Sequence, residues 1–280
     1  MITKRERLWK EYKLRRNQFF RRGAAAVPVL IFGEQRSGTN MLLDCFDRSP
    51  HTAVYNETDD DAFVDYELRD MEVIRAIVAR SLASHVVFKP TADGNRADEV
   101  LDGLPGARAI WIYRDYRDAV SSALALFRET SLEYLSKVAT RSSAARWRSV
   151  NISDGDVLMI QGHLSRGISE ASARALIWFI RNSFLFKLHL NARRDVLVIN
   201  YEDLVGNPTD VIGRAFNFAG LPFKRSFASK VFASSVGRRP PPDIDPEISA
   251  ACEALLVRIA GCRHSDTPAR PPISLAAGGG

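Results

Sequence analysis

Two glycines five positions apart, Gly33 and Gly38, separate a short apolar run from an apolar pattern of helical spacing. Glycine allows the tight turn and the close backbone approach that a bound phosphate needs. The free N–H groups and the dipole at the start of a helix favour an anion. The stretch therefore predicts an anion-binding loop. Its polar side chains are Arg36, Ser37, Thr39 and Asn40.

The cation of this loop is in an unusual place. A Walker phosphate loop, GxxxxGK[ST], has a Lys directly after the second Gly to reach the outer phosphates. Here Thr39 occupies that position, and the cation is Arg36, two residues before Gly38. The spacing indicates phosphate or nucleotide binding of another kind. The alternative is a strand-turn-helix unit in which Gly, Ser and Thr serve only packing and capping.

A second polar stretch, RDYRDAVSS, follows the apolar run RAIWIY. Arg114 ends the predicted strand, and Ser122 lies about two turns into the next helix, so both residues are expected to face one crevice. An Arg fork suits a phosphate dianion, and a Ser hydroxyl adds another donor. Alternatively, the four charged residues of this stretch form only surface ion pairs at the start of a helix. They are Arg114, Asp115, Arg117 and Asp118.

A third stretch, residues 196–221, contains an apolar strand pattern, YEDL, a proline and a helix pattern. Together the three stretches resemble sulfotransferases that use 3′-phosphoadenosine 5′-phosphosulfate (PAPS), which carry [KR]SGT[TS], RDPRDxxxS and a similar YEDL segment. The resemblance implies that residues 36–40 bind the 5′-phosphosulfate, that Arg114 and Ser122 bind the 3′-phosphate, and that Tyr201 contacts adenine. A buried structural aromatic is the alternative for Tyr201. Tyr116 stands where the family has Pro.

The chain differs from cytosolic members of that family in the motif that carries the general base. Their KTH motif is replaced by Lys89-Pro90-Thr91. Carbohydrate-type members use a Glu soon after the first helix, which implies Glu57 here; the alternative is that Glu57 is only an exposed acidic loop residue beside three Asp. The other candidates, in order of preference, are Asp93, Asp59 and His85. Arg36 and Lys89 are the proposed cations for the sulfuryl and bridging oxygens, and this chemistry requires no metal.

The RKGxxGxWK stretch of cytosolic members is also absent. Residues 234–240, SSVGRRP, are its suggested replacement, with Arg238 or Arg239 on the 3′-phosphate.

Strand patterns alternate with helix patterns along most of the chain, which predicts an α/β protein. The expected fold is a three-layer, P-loop-like parallel sheet with helices on both faces. Ligands bind at the carboxyl ends of the strands in such sheets, and the three stretches follow strands. From Pro222 onwards we expect irregular structure.

The 280 residues are enough for one large α/β domain or two small ones, and 46% hydrophobic and 26% charged residues are typical of a soluble globular protein. Nine of the basic residues fall in residues 1–22 against two Glu, so residues 1–26 are expected to form a basic helix and 27–280 the single sulfotransferase-like domain. This basic N-terminal segment is compatible with peripheral contact to an anionic membrane. Three cysteines without metal-ligand spacing and no secretory signal predict a cytoplasmic protein.

These features predict a PAPS-dependent sulfotransferase whose acceptor is a hydroxyl of a carbohydrate or another small molecule. An ATP-dependent kinase of related fold and a non-catalytic nucleotide-binding protein are the alternatives. Nucleic-acid binding is not expected, because the excess of Lys and Arg over Asp and Glu is confined to the N-terminal residues 1–22. The acceptor pocket is expected from residues 59–70, 130–150 and the C-terminal tail, while the acceptor and the oligomeric state stay open.

Overall fold

The computed structural model describes residues 12, 25–126, 130–142, 150–232 and 240–262. The strands, numbered along the chain, are β1 (Val27–Phe32), β2 (Thr52–Tyr55), β3 (Phe63–Val64), β4 (Glu67–Leu68), β5 (His85–Phe88), β6 (Arg108–Tyr113) and β7 (Val196–Asn200). Five of them form one parallel sheet in the order β2-β5-β1-β6-β7, and β3 pairs with β4 as a separate antiparallel hairpin.

Helices follow the strands of the main sheet. They are α1 (Thr39–Asp47), α2 (Met71–Arg80), α3 (Ala97–Asp102), α4 (Tyr116–Leu124), α5 (Ser131–Ala139), α6 (Asp154–Ser165), α7 (Glu170–Lys187), α8 (Tyr201–Gly206), α9 (Pro208–Ala219) and α10 (Pro246–Gly261). Short 3-10 turns span Ala92–Arg96, Leu190–Ala192 and Arg225–Ala228. No helix among the described residues is long and apolar enough to cross a membrane.

Strand β1 shows why the molecule has three layers. Its residues alternate between the two faces of the sheet, because successive side chains of a strand point in opposite directions. Leu30 and Phe32 belong to the apolar cluster that contains much of α7 and α10, whereas Val29 and Ile31 belong to the cluster built with α1 and α9. The predicted fold class, a three-layer P-loop-like parallel sheet, is confirmed.

The expectation of irregular structure after Pro222 is wrong for part of that region, because α10 spans 16 residues. Asp245 accepts hydrogen bonds from the first N–H groups of α10, and a proline stands at its first position. The helix buries Ile248, Cys252, Leu255 and Ile259, which lie on one face at helical spacing. The Pro-rich stretch just before it obscured this pattern in the sequence.

Two other elements, α6 and the β3–β4 hairpin, were not predicted. A capping box between Ser153 and Asp156 starts α6. Of the predicted basic helix at residues 1–26, all but Tyr12, Ala25 and Ala26 lies outside the described residues, as does residue 263 onwards.

Candidate active site

The loop between β1 and α1 has the backbone that its glycines predict. Gly33 and Gly38 have φ angles of 149° and 94°, and Arg36 is also left-handed at 71°. A Cβ on Gly33 would lie 2.2 Å from the carbonyl oxygen of Ile112, and one on Gly38 would lie 2.5 Å from the ring of Tyr201. The loop is therefore pressed against the ends of the neighbouring strands, and α1 begins directly after it.

Gly38→Ala is expected to lower the free energy of unfolding by about 1–3 kcal/mol from backbone strain alone, because the left-handed backbone is strained for Ala. The overlap of the added methyl group with the Tyr201 ring increases this loss. Urea unfolding measures this change. Gly162→Ala, in α6, is the control, because nothing lies within 4 Å of its added Cβ. We expect that control to be stabilised by about 0.5–1 kcal/mol. Equal effects of the two substitutions would contradict the prediction.

The three sequence stretches meet at the carboxyl ends of β1, β6 and β7. Arg36 Nε donates a hydrogen bond to Ser122 Oγ at 3.0 Å, although the two residues are 86 positions apart. Arg114 Nη1 donates to the backbone oxygen of Arg36 at 3.3 Å. The guanidinium of Arg114 also lies 4.4 Å from the centre of the Tyr201 ring. Four of the predicted donor-binding residues are thus in direct contact.

Two carboxylates lie close to Arg114. Its Nη2 atom is 3.4 Å from Asp118 Oδ2, and its Nε atom is 4.0 Å from Glu202 Oε1. Glu202 also accepts hydrogen bonds from the backbone N–H of Asp115 and from the amide of Asn200. Burial raises the pKa of Glu202, against the lowering effect of these bonds and of Arg114. Glu202 therefore neutralises Arg114 besides supplying negative charge to the first turn of α8.

Glu57 and Lys89 form an ion pair at the same carboxyl edge of the sheet. Glu57 follows β2 and Lys89 follows β5, and these two strands are neighbours in the sheet. Lys89 Nζ lies 2.8 Å from Glu57 Oε2. The lysine side chain is only 2% exposed, whereas that of Glu57 is 21% exposed. The carboxylate is therefore held by a buried cation and still reaches solvent.

The other candidate bases have different surroundings. Asp93 is buried and accepts hydrogen bonds from the N–H of Leu68 and from Arg96, and burial raises its pKa. Asp59 is exposed and accepts from the N–H of Asn56 at 2.6 Å. His85 is the first residue of β5, and its ring contacts the Ala219 carbonyl oxygen at 2.9 Å. It lies at the opposite, amino-terminal edge of the sheet.

Sequence reasoning missed a buried ionic cluster behind the loop. Glu34, inside the loop, is 3% exposed, and its two carboxylate oxygens are contacted by different arginines of α7. Arg174 Nη2 lies 2.7 Å from Glu34 Oε1, and Arg181 Nε lies 2.5 Å from Glu34 Oε2. Two arginines seven positions apart in an otherwise strongly apolar helix were the available signal, since charged residues are rarely buried unless paired.

Two buried hydroxyl groups lie in the segments that follow β1 and β5. Ser37 Oγ and Thr91 Oγ1 are buried and have no hydrogen-bond partner among the described residues. Buried polar groups normally have a partner, so a ligand oxygen would satisfy them. Thr39 starts α1 and Asn40 is exposed in its first turn. Arg238 and Arg239, suggested for the 3′-phosphate, lie outside the described residues.

A parallel sheet with a phosphate-type loop and convergent cations at its carboxyl edge defines a P-loop-like α/β protein. The family model described as "Sulfotransferase domain" matches residues 27–236, more than half of the chain. The chain therefore belongs to the sulfotransferase domain family. This membership supports sulfotransferase activity.

Comparison with solved structures finds similar proteins at low sequence identity. Sulfotransferase STF9 from Mycobacterium avium is 13% identical with a TM-score of 0.50, over 93% of this chain and 83% of that chain. A sulfotransferase from Alicyclobacillus acidocaldarius is 15% identical with a TM-score of 0.49, over 86% and 95% of the two chains. No curated protein matches the sequence.

Proposed function

We propose that the protein transfers a sulfuryl group from PAPS to a hydroxyl of a carbohydrate or another small acceptor. The observation that carries this proposal is the contact of Arg36, Ser122, Arg114 and Tyr201 at one edge of the sheet. These residues come from three distant stretches, and each stretch has a counterpart in the family's donor-binding motifs. Their convergence at the carboxyl ends of parallel strands supports a nucleotide site.

The donor-binding roles follow from the chemistry of each group. The loop N–H groups and the side chains of residues 36–40 suit the 5′-phosphosulfate, since the helix start favours an anion. Arg114 and Ser122 suit the 3′-phosphate, and Tyr201 offers an aromatic face for adenine. A bound phosphate would compete with Asp118 and Glu202 for Arg114.

Glu57 is the proposed base and Lys89 its cationic partner. PAPS supplies a sulfuryl group whose leaving group is the 5′-phosphate oxygen of the product, 3′-phosphoadenosine 5′-phosphate (PAP). Glu57 accepts the proton of the acceptor hydroxyl while the acceptor oxygen forms its bond to sulfur and the sulfur–oxygen bond to PAP breaks. Lys89 and Arg36 supply positive charge for the sulfuryl and bridging oxygens. The proton and the charge of the transfer step are therefore accounted for by Glu57 and PAP, without another reactant.

The acceptor side is proposed around the β3–β4 hairpin. The N–H of Leu68 in β4 donates to Asp93, four residues after Lys89, so the hairpin is tied to the Lys89 segment. Val64 at the end of β3 and Tyr66 in the turn are half or more exposed, and they offer an apolar and aromatic surface for a sugar ring or another small acceptor. A cytoplasmic location and membrane contact through the N-terminus stay predictions.

A kinase is the second candidate, but two observations disfavour it. Thr39 replaces the Walker Lys, and Asp115, after β6, is engaged in capping α4 and pairing with Arg117 rather than open to Mg²⁺. A non-catalytic nucleotide-binding protein is the third candidate. It would bind PAP, but Glu57→Gln would change nothing beyond stability.

Calorimetric titration with PAP in the presence of a chelator, beside ATP with and without Mg²⁺, tests the donor assignment. Arg114→Ala is expected to weaken PAP binding by about tenfold to a hundredfold, since hydrogen bonds to charged groups contribute roughly 1.5–3 kcal/mol. Arg117→Ala is the matched control, because Arg117 pairs with Asp115 and Glu253 on the surface of the same segment. Absence of PAP binding, with Mg²⁺-dependent ATP binding, would refute the sulfotransferase proposal and favour the kinase.

A further inference from the structure

One face of α7 contacts three separate segments of the candidate site. Arg174, Trp178 and Arg181 are four and three positions apart, so they lie on the same side of the helix. All three are buried. We call these three residues the α7 face. The loop after β1, the segment after β5 and the end of β6 all meet it, and these segments carry the cations proposed for catalysis and donor binding.

The contacts of the α7 face are polar and directed. Both arginines bind the Glu34 carboxylate, which lies two residues before Arg36. Arg181 Nη2 also donates to the backbone oxygen of Thr91, two residues after Lys89. Trp178 Nε1 donates to the backbone oxygen of Arg114 at 3.1 Å. Each bond therefore ends on one of the cation-bearing residues or two positions from it.

We propose that the α7 face positions these three segments, so that Arg36, Lys89 and Arg114 are held in the relative arrangement that donor binding requires. This inference rests on the proposed function. Groups that bind a ligand need supporting hydrogen bonds to hold them close to the productive geometry. Apolar packing of α7 alone would stabilise the fold, but it would not fix the direction of a loop carboxylate or of a strand-end carbonyl.

Trp178→Phe is the most selective test. The substitution keeps a buried aromatic ring against Tyr116 and removes the N–H that holds the Arg114 carbonyl. Because Arg114 is assigned to the 3′-phosphate, the dissociation constant of PAP is expected to rise by about tenfold, the upper range for one lost hydrogen bond. The dissociation constant of adenosine 5′-monophosphate (AMP), which lacks the 3′-phosphate, is expected to stay unchanged. Calorimetric titration of both nucleotides measures the ratio.

Arg174→Met tests the loop side of the α7 face. Glu34 keeps Arg181 as a partner in this variant, so the buried carboxylate is not left unpaired. The loop loses one of its two anchors, and both nucleotides have a 5′-phosphate. We therefore expect PAP and AMP to lose affinity by the same factor, which leaves their ratio unchanged.

Two control variants separate positioning from stability. Tyr116→Phe removes the hydrogen bond between the Tyr116 hydroxyl in α4 and Ser249 in α10. Lys187→Gln removes the ion pair between Lys187, at the end of α7, and Asp156 in α6. The Tyr116 hydroxyl is bonded to α10 and Lys187 to α6, and neither bond holds the Glu34 carboxylate, the Thr91 carbonyl or the Arg114 carbonyl, so both nucleotide affinities are expected to stay at wild-type values.

The outcomes distinguish this inference from the proposed function. Wild-type protein that does not bind PAP would overturn both. If wild-type protein binds PAP and Arg114→Ala weakens that binding, the donor assignment stands. In that case, a Trp178→Phe variant with an unchanged PAP to AMP ratio overturns the role of the α7 face, and a tenfold change in the ratio supports it.

Discussion

Glu57→Gln is expected to lower the rate of sulfuryl transfer by about 10²–10⁴-fold while PAP binding is retained, because a positioned general base contributes an effect of this size. Gln keeps the shape of the side chain but cannot accept the acceptor's proton. The rate is measured as PAP release from PAPS with a hydroxyl acceptor chosen from a panel of monosaccharides, glycosides and alcohols. An unfolding curve accompanies it, because Lys89 is 2% exposed and loses its anionic partner.

Asp59→Asn and Asp93→Asn are the matched controls for the base. Asp59 is exposed in the same loop as Glu57, so Asp59→Asn is expected to leave the rate and the stability near wild type. Asp93→Asn is expected to lower stability, because its buried carboxylate pairs with Arg96, and to spare the rate of the folded fraction. A larger rate loss in either control than in Glu57→Gln would transfer the role of base to that aspartate.

Glu34→Gln is expected to lower the free energy of unfolding by about 3–5 kcal/mol, since it leaves buried charge without its partner. The carboxylate is the shared anion of Arg174 and Arg181, whose side chains are 9% and 8% exposed. Gln still accepts a hydrogen bond, so the loss arises mainly from charge. Urea unfolding, followed by fluorescence, measures the change.

A double variant, Glu34→Gln with Arg174→Met, tests whether this loss is electrostatic. Removing one buried guanidinium should recover part of the stability, so the two changes are expected to be far from additive. Glu133→Gln removes an exposed helical ion pair with Lys137 and is expected to cost less than about 0.5 kcal/mol. Additive effects of Glu34→Gln and Arg174→Met would contradict the interpretation.

Much of the fold was predictable because the strands of the main sheet are short runs rich in apolar residues, followed by Gly, Asn, Lys, Arg or Tyr at the functional edge. The resemblance to the sulfotransferase motifs implied that Arg36, Arg114 and Tyr201 serve one nucleotide site, and all three follow predicted strands. The order of the strands was not predictable, since it depends on pairing between distant segments. The placement of Glu57 beside Lys89 depends on that order, because β2 and β5 are separated by 29 residues of intervening chain.

The elements that sequence reasoning missed have a common cause. The α10 pattern follows a Pro-rich stretch, and its one buried face becomes recognisable only when α7 is available to cover it. The two strands of the β3–β4 hairpin have only two residues each, too few for a periodic pattern. Glu34 and the α7 arginines are separated by about 140 positions, so no local signal connects them.

The strand order separates the proposed donor-binding half of the site from the proposed acceptor half. The proposed donor-binding groups follow β1, β6 and β7, on one side of the sheet, whereas Glu57 and the hairpin follow the edge strand β2. Among the described strands only β5 borders β2, so the segment from residue 58 to residue 70, which leaves Glu57 in place, is expected to diverge or be exchanged with little disturbance of nucleotide recognition. Libraries confined to that segment are the direct route to new acceptors on an unchanged donor platform.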